Sequence, residues 1–360
     1  MSRFAKHRRV FYFEEPLYDA ATAYLETRRC PLTQVTIVTP HLPPHGTNDN
    51  AILQELIQRF ARAEQITEPI TWFYTPMALE FFPKTILPSL VVYDCMDELS
   101  MFRGAPASIQ ILEEELLRVS DLVFTGGVSL FEAKRSLHKA VHAFPSGVEA
   151  EHFGSARSFQ DDFAENASLP RPRLGFAGVI DERMDLNLVD EVARQRPDWQ
   201  LVMIGPVTKI DSASLPARPN IHWLGRKEYA DLPKYFAGWD VALMPFALND
   251  STRFISPTKT PEYLCAGLPV VSTPIRDVVR PYGNLGLVRI AETPEQFILA
   301  TEQALMGGMC LKWRERADQF LKSLSWDSVW ESMNHLIAEK QERAALGLAA
   351  AAQSRRAAHV

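Results

Sequence analysis

Short runs of Val, Ile, Leu and Phe alternate along the chain with longer stretches in which apolar residues return every three or four positions. Continuous apolar runs read as strands buried on both faces, and the longer period reads as amphipathic helices. The alternation therefore predicts an α/β protein built on parallel sheets. In the first half, strands are predicted at Val10–Phe13, Gln34–Thr39, Thr71–Tyr74, Leu90–Tyr93, Leu122–Thr125 and Val141–Phe144. Helices fall between them, most clearly over Asn50–Arg62 and Ser108–Val119. In the latter, Ile109, Leu112, Leu116 and Val119 form one apolar stripe and Glu113, Glu114 and Glu115 stay on the wet face.

A second series of strands is predicted at Leu174–Ala177, Gln200–Ile204, Ile221–Leu224, Val241–Met244, Val270–Ser272 and Leu287–Ile290. The end reads as helical, from Pro294 to Met306 and from Met309 to about Glu342. Between the two series the chain turns polar from Gly154 and ends in Pro170-Arg171-Pro172, as an interdomain linker would. A chain of 360 residues exceeds what one core usually supports. The expected division is a Rossmann-like domain over residues 1–149, a hinge and linker over 150–172 and a second domain over 173–325. A final helix over 326–344 and a frayed tail over 345–360 complete it.

Composition narrows the function. Apolar residues make up 46% and charged residues 23%, as in globular proteins. No apolar run approaches the roughly 18 residues of a membrane span, and Met1–Lys6 leads into a strand pattern without a cleavable apolar leader. The expected location is the cytoplasm. A net charge of −6 argues against an extended nucleic-acid surface. The short basic cluster Lys6-His7-Arg8-Arg9 reads as a solvated helix end, with peripheral contact to anionic lipid at the inner face of the membrane as the alternative. Cys30, Cys95, Cys265 and Cys310 lack metal-ligand spacing and read as reduced thiols, so no metal site is expected. Neither a Gly-x-Gly-x-x-Gly nor a Walker A pattern is present, which lowers dehydrogenase and NTPase readings.

Ligands of open parallel sheets bind beyond the carboxyl ends of the strands, so residues just after each strand carry the candidate chemistry. The most specific set is Ser256-Pro257-Thr258-Lys259-Thr260-Pro261-Glu262-Tyr263-Leu264, followed by Ala266-Gly267-Leu268-Pro269. Thr260 reads as an N-cap and Pro261 as the first helical residue, with Glu262 in the opening turn. Such a terminus offers N–H groups to a phosphate, Lys259 adds positive charge, and Glu262 can accept both hydroxyls of a ribose. An acidic residue that only complements the helix dipole is the competing reading. A second set, Tyr93-Asp94-Cys95-Met96-Asp97-Glu98, follows a buried strand and offers Asp97 as a general base, or as a cap of the next helix. Asp94 is the weaker candidate there. His45, in a loop that also holds His41 and Gly46, and Gly127, after the strand ending at Thr125, are further cleft candidates.

The run Ser-Pro-x-Lys-x-x-Glu-Tyr-Leu-x-x-Gly-x-Pro-Val-Val resembles the donor-site motif of group 1, family 4-like glycosyltransferases. Pro145-Ser146-Gly147-Val148-Glu149 resembles the hinge before their donor domain, and Gly175-Phe176-Ala177-Gly178 the start of that domain. The resemblance implies the GT-B fold: two Rossmann-like domains facing a cleft, acceptor side first, with a C-terminal helix from Ser325-Trp326 crossing back to the first domain. It implies a donor site of Gly178, Arg183, Ser256, Pro257, Thr258, Lys259 and Glu262. There Glu262 holds the ribose, and Arg183, with Lys259 and the helix start, neutralises the diphosphate; Arg183 paired with Asp181 or Asp185 is the structural alternative. It implies transfer of a sugar from a nucleotide-sugar, a UDP-sugar by preference, to a hydroxyl of a glycan or lipid-linked glycan. The nucleotide-sugar is a substrate, and no cofactor is implied. Eight residues before Glu262 the family's usual second glutamate is replaced by Phe254. The variant resembles that of an inverting glucuronosyltransferase, so retaining and inverting chemistry both stay open. A nucleotide-sugar epimerase and an inactive nucleotide-sugar-binding subunit are the rival functions. Met1–Lys6 also resembles the end of the helix that follows the family's first strand, so the first domain is expected to lack that strand.

Overall fold

The computed structural model describes residues 1–44, 48–159, 164–307 and 311–357. His45 therefore lies outside the described residues. The strands are β1 (Phe11–Phe13), β2 (Tyr24–Arg29), β3 (Thr36–His41), β4 (Ile70–Phe73), β5 (Leu90–Cys95), β6 (Leu122–Thr125) and β7 (Val141–Ala143) in the first half. The second half holds β8 (Arg173–Ala177), β9 (Gln200–Ile204), β10 (Ile221–Gly225), β11 (Val241–Met244), β12 (Val270–Ser272) and β13 (Arg289–Ile290).

The second half is one six-stranded sheet in the order β10-β9-β8-β11-β12-β13, with every pairing parallel. The order reverses direction at β8 and β11, so the loops after these two strands open the crevice where ligands of such sheets bind. Its core joins Leu174, Phe176, Leu201, Val241, Leu243, Val270 and Val271 to Trp199, Tyr235, Phe236 and Tyr263. The first half is split. Parallel strands β4-β5-β6-β7 form one sheet, and β1-β3-β2 form another in which β2 runs antiparallel to β3. β2 is absent from the sequence reading because Tyr-Leu-Glu-Thr-Arg-Arg is exposed at all but one position and lacks the apolar signature of a buried strand.

The segment expected as a linker is instead docked on the second half. A helix over Ala150–Gly154 buries Phe153 flat against Phe236, with ring centroids 5.6 Å apart. Arg157 donates to the Leu264 carbonyl at 3.0 Å and pairs with Asp318 at 2.7 Å. The helical end expected from Met309 holds two helices, Leu311–Leu321 and Trp326–Ala357; the second begins where the final helix is expected and continues through the region expected to fray. The break falls where the Ser325 hydroxyl accepts the Ser328 N–H at 3.1 Å and starts the new helix. Trp330, Met333, Leu336 and Ile337 of that helix pack on Phe4, Val92, Leu122 and Phe124 of the first half. The chain therefore crosses back over both sheets.

Candidate functional site

The loop leaving β8 forms the floor of the crevice. Asp181 is buried and receives Arg183 through both Nε and Nη2, the latter at 2.7 Å. Asp185 is occupied elsewhere, capping the helix Leu186–Gln195 by accepting the Leu188 N–H at 2.9 Å. Of the two expected acidic partners Arg183 thus takes Asp181, and its half-buried guanidinium lies 5.8 Å from the ring of Phe102, which comes from the first half.

The helix carrying the main motif runs over Lys259–Cys265 and begins earlier than the sequence suggests. Thr258, not Thr260, occupies the N-cap position, with no side-chain capping bond. Thr260 is fully buried and its hydroxyl donates to the Met244 sulfur at 3.4 Å, which removes it from capping. Lys259 and Glu262 share one face of this turn. The Lys259 side chain crosses Gly178 so closely that a Cβ on Gly178 would stand 1.9 Å from Cε, and its ammonium lies 5.7 Å from the Phe176 ring. Burial pulls the Lys259 ammonium down, opposed by Glu262. Burial pushes the Glu262 carboxyl up to about 7, opposed by Lys259 and by a hydrogen bond from Thr258. Two groups of opposite charge, each disfavoured by desolvation, stand ready for a polar ligand.

The structure places the charges of Glu262, Lys259, Arg183 and Asp97 in succession as neighbours, with Gly178 under the Lys259 side chain. Asp97 is half-buried after β5; burial raises its carboxyl and the nearby Arg183 lowers it. It is not a side-chain cap, because the turn Leu99–Met101 has Glu98 at its N-cap position and no capping side chain. Asp94 stands apart. It is buried within the sheet, accepts the Trp72 indole N–H at 3.0 Å, and is pushed up to about 6 by burial. Gly127 and Ser256 meet where the halves touch: a Cβ on Gly127 would lie 2.8 Å from the Ser256 Cβ and 2.2 Å from Asp277 Oδ2.

Sequence reasoning missed several participants. Phe102, Glu182 and Lys209 belong to no motif and reach the crevice through loops, and Asp277 reaches the seam between the halves from the short helix Arg276–Val278. Glu149, part of the expected hinge, accepts the hydroxyl of Tyr229 through Oε2 at 3.1 Å, and Tyr229 in turn lies close enough to Glu262 to feel its charge. Phe254 packs with the apolar cluster of Phe73, Tyr93 and Leu130 in the first half, which accounts for an apolar residue there.

Two facing parallel-sheet halves, a crevice at the strand ends and a helix returning across both define the GT-B fold. Residues 171–306 match the family model described as Glycosyl transferases group 1. The chain is 25% identical over 266 residues to a protein of Bacillus subtilis (strain 168) described as a teichuronic acid biosynthesis glycosyltransferase, TuaH, covering 68% of this chain and 65% of the relative. It thus spans just under two thirds of that relative's length. Among solved structures it is similar to sucrose-phosphate synthase of Thermosynechococcus elongatus, with a TM-score of 0.69, 13% identity and coverage of 94% and 90% of the two chains. It is also similar to Alr3699/HepE of Anabaena, solved with UDP and glucose, with a TM-score of 0.62, 12% identity and coverage of 85% and 87%.

Proposed function

We propose that the protein is a glycosyltransferase that moves a sugar from a nucleotide-sugar, a UDP-sugar by preference, to a hydroxyl of a glycan or lipid-linked glycan in cell-surface polysaccharide synthesis. One observation carries this reading: Lys259 and Glu262 stand on a single helical turn beside Arg183, in the crevice at the point where the strand order reverses. The match of residues 171–306 to the group 1 model and the UDP and glucose bound by a protein of the same fold support it.

Glu262, once ionised, accepts the two ribose hydroxyls. Arg183 and Lys259 hold the diphosphate and stabilise the charge that grows on it as the bond from the anomeric carbon to the phosphate oxygen breaks. The acceptor oxygen forms the new bond to that carbon and its proton leaves. In an inverting reaction Asp97 takes the proton. In a retaining reaction the departing phosphate takes it. No helix among the described residues is long and apolar enough to cross a membrane.

The test is a thermal-shift screen of nucleoside diphosphates and their sugar esters, followed by product analysis of any that bind. A specific ligand raises the melting temperature by mass action. The proposal expects a rise with UDP or another nucleoside diphosphate, lost in Glu262→Ala, and release of free sugar from the donor. An altered sugar on intact nucleotide would mark an epimerase, and binding with no turnover a binding subunit. A screen with no nucleotide response overturns the proposal.

A further inference from the structure

We infer that Glu182 grips the hydroxyl groups of the sugar carried by the donor and selects a neutral sugar over a sugar acid, an inference that rests on the function proposed above. The backbone around Glu182 is held on both sides. Ile180 bridges to Val207, the Asp185 N–H donates to the Pro245 carbonyl at 2.8 Å, and the Ala247 N–H donates to the Arg183 carbonyl at 2.8 Å. Asn249 Nδ2 donates to the Glu182 carbonyl itself at 3.0 Å. The side chain is only 15% exposed, and among the described residues neither carboxylate oxygen meets a hydrogen-bond donor. Lys209 Nζ stands 3.9 Å from Oε1, a distance that offsets charge but makes no hydrogen bond. A buried carboxylate without donors is costly, and its oxygens are closed to solvent, so the side chain gains by turning out to meet the hydroxyls of a ligand.

The place of Glu182 identifies which hydroxyls. Lys259 is coupled to Glu262, Arg183 and Asp181, and Arg183 in turn to Asp181, Asp97 and Glu182. The charges therefore run from Glu262 through Lys259 and Arg183 to Glu182 and Asp97. Lys209 and Arg183 both lie against Phe102, at 5.0 Å and 5.8 Å, so this far end sits where the two halves meet. A donor with its ribose on Glu262 and its diphosphate on Lys259 and Arg183 carries its sugar to that end. An ionised carboxylate accepts two neighbouring hydroxyls and repels the carboxylate of a sugar acid.

Binding of UDP, UDP-glucose, UDP-galactose and UDP-glucuronate to the full chain, to Glu182→Gln and to Glu182→Ala tests this, with near-ultraviolet circular dichroism as a check on folding. Glu182→Gln keeps the shape and keeps the inference testable if Glu182→Ala does not fold. The expected result is a parent protein that binds a neutral UDP-hexose more tightly than UDP or UDP-glucuronate. In Glu182→Gln, affinity for that hexose should fall about tenfold while affinity for UDP does not fall. Unchanged hexose affinity in Glu182→Gln, or a parent that prefers UDP-glucuronate, overturns the assignment of Glu182 and leaves the donor site standing. A parent that binds neither UDP nor any of the esters overturns the proposed function, and the inference falls with it.

Discussion

The Asp277 carboxylate of the second half accepts the backbone N–H of Ser129 of the first at 2.9 Å, across 148 positions of sequence. Ser129 lies in the first turn of the helix Val128–Lys134, where free N–H groups favour an anion. One turn further, Glu132 pairs with Arg276 at 3.1 Å and Arg280 at 3.0 Å, from the segment that holds Asp277. The two halves are thus joined by charge on the side of the crevice where Gly127 and Ser256 meet.

Gly127→Ala should pry this seam open. The new Cβ would stand 2.2 Å from Asp277 Oδ2, an oxygen already buried without a donor, and 2.8 Å from Ser256. Overpacking of this kind costs about 1–3 kcal/mol. We expect turnover to fall more than the melting temperature suggests, and Gly127→Ala/Asp277→Ala to recover part of the loss because one of the two clashes is gone. A double variant no better than the sum of the two single ones would show that Gly127 and Asp277 do not act on each other.

Glu262 sets a pH dependence of definite sign. Its carboxyl is pushed up to about 7 in the folded protein, above the ordinary carboxylate value. The free protein therefore binds an extra proton relative to the unfolded chain. The stability this provides is full below the ordinary carboxylate range and is lost as pH rises through about 7. Ribose hydroxyls are accepted by the ionised form, so affinity for UDP-glucose, whose diphosphate does not titrate here, should rise from pH 6 to pH 8. Calorimetric titrations of the parent and of Glu262→Gln check both slopes. Equal slopes in the two proteins would remove Glu262 from the ligand.

Much of this was legible in the sequence where burial and periodicity agree. The strands Leu122–Thr125, Gln200–Ile204, Val241–Met244 and Val270–Ser272 are found where their apolar runs lie, because strands covered on both faces leave an uninterrupted apolar signature. Lys259 and Glu262 were legible because four residues of one helical turn hold them together. Glu182, Lys209 and Phe102 were not, since they converge through three loops with no local pattern to mark them. The motif helix starts earlier than its sequence suggests for a related reason: Thr260 has a capping residue's identity, yet tertiary burial commits its hydroxyl to Met244.

A buried network behind the Asp97 loop yields a stability prediction. Lys134 is only 5% exposed and pairs with Glu98 at 2.6 Å and Glu113 at 2.7 Å; Glu113, expected on the wet face of its helix, is instead turned inward and also accepts the Tyr93 hydroxyl at 2.9 Å. Removing one cation leaves two carboxylates facing each other with little water. Lys134→Met should cost about 3–5 kcal/mol, read by urea denaturation. Adding Glu113→Gln should return part of it by removing the repulsion. A stability within 1 kcal/mol of the parent for Lys134→Met would mean that solvent reaches this network.

Asp97 separates binding from chemistry. It lies next to Glu98, which Lys134 holds, and close to Arg183, which lowers a carboxyl that burial raises. A carboxyl raised by burial at the edge of the crevice suits a base that takes a proton from an acceptor hydroxyl. Asp97→Asn keeps the side chain's shape and removes its capacity to accept a proton. Affinity for UDP should therefore survive, because the ribose and diphosphate rest on Glu262, Lys259 and Arg183. Turnover to an acceptor should fall by about 100-fold or more if the reaction inverts. In a retaining reaction the departing phosphate takes the proton, the same substitution should cost only a few-fold, and NMR of the product would show the donor's anomeric configuration kept. An inverted product made at the parental rate by Asp97→Asn would leave the base to be sought elsewhere in the crevice.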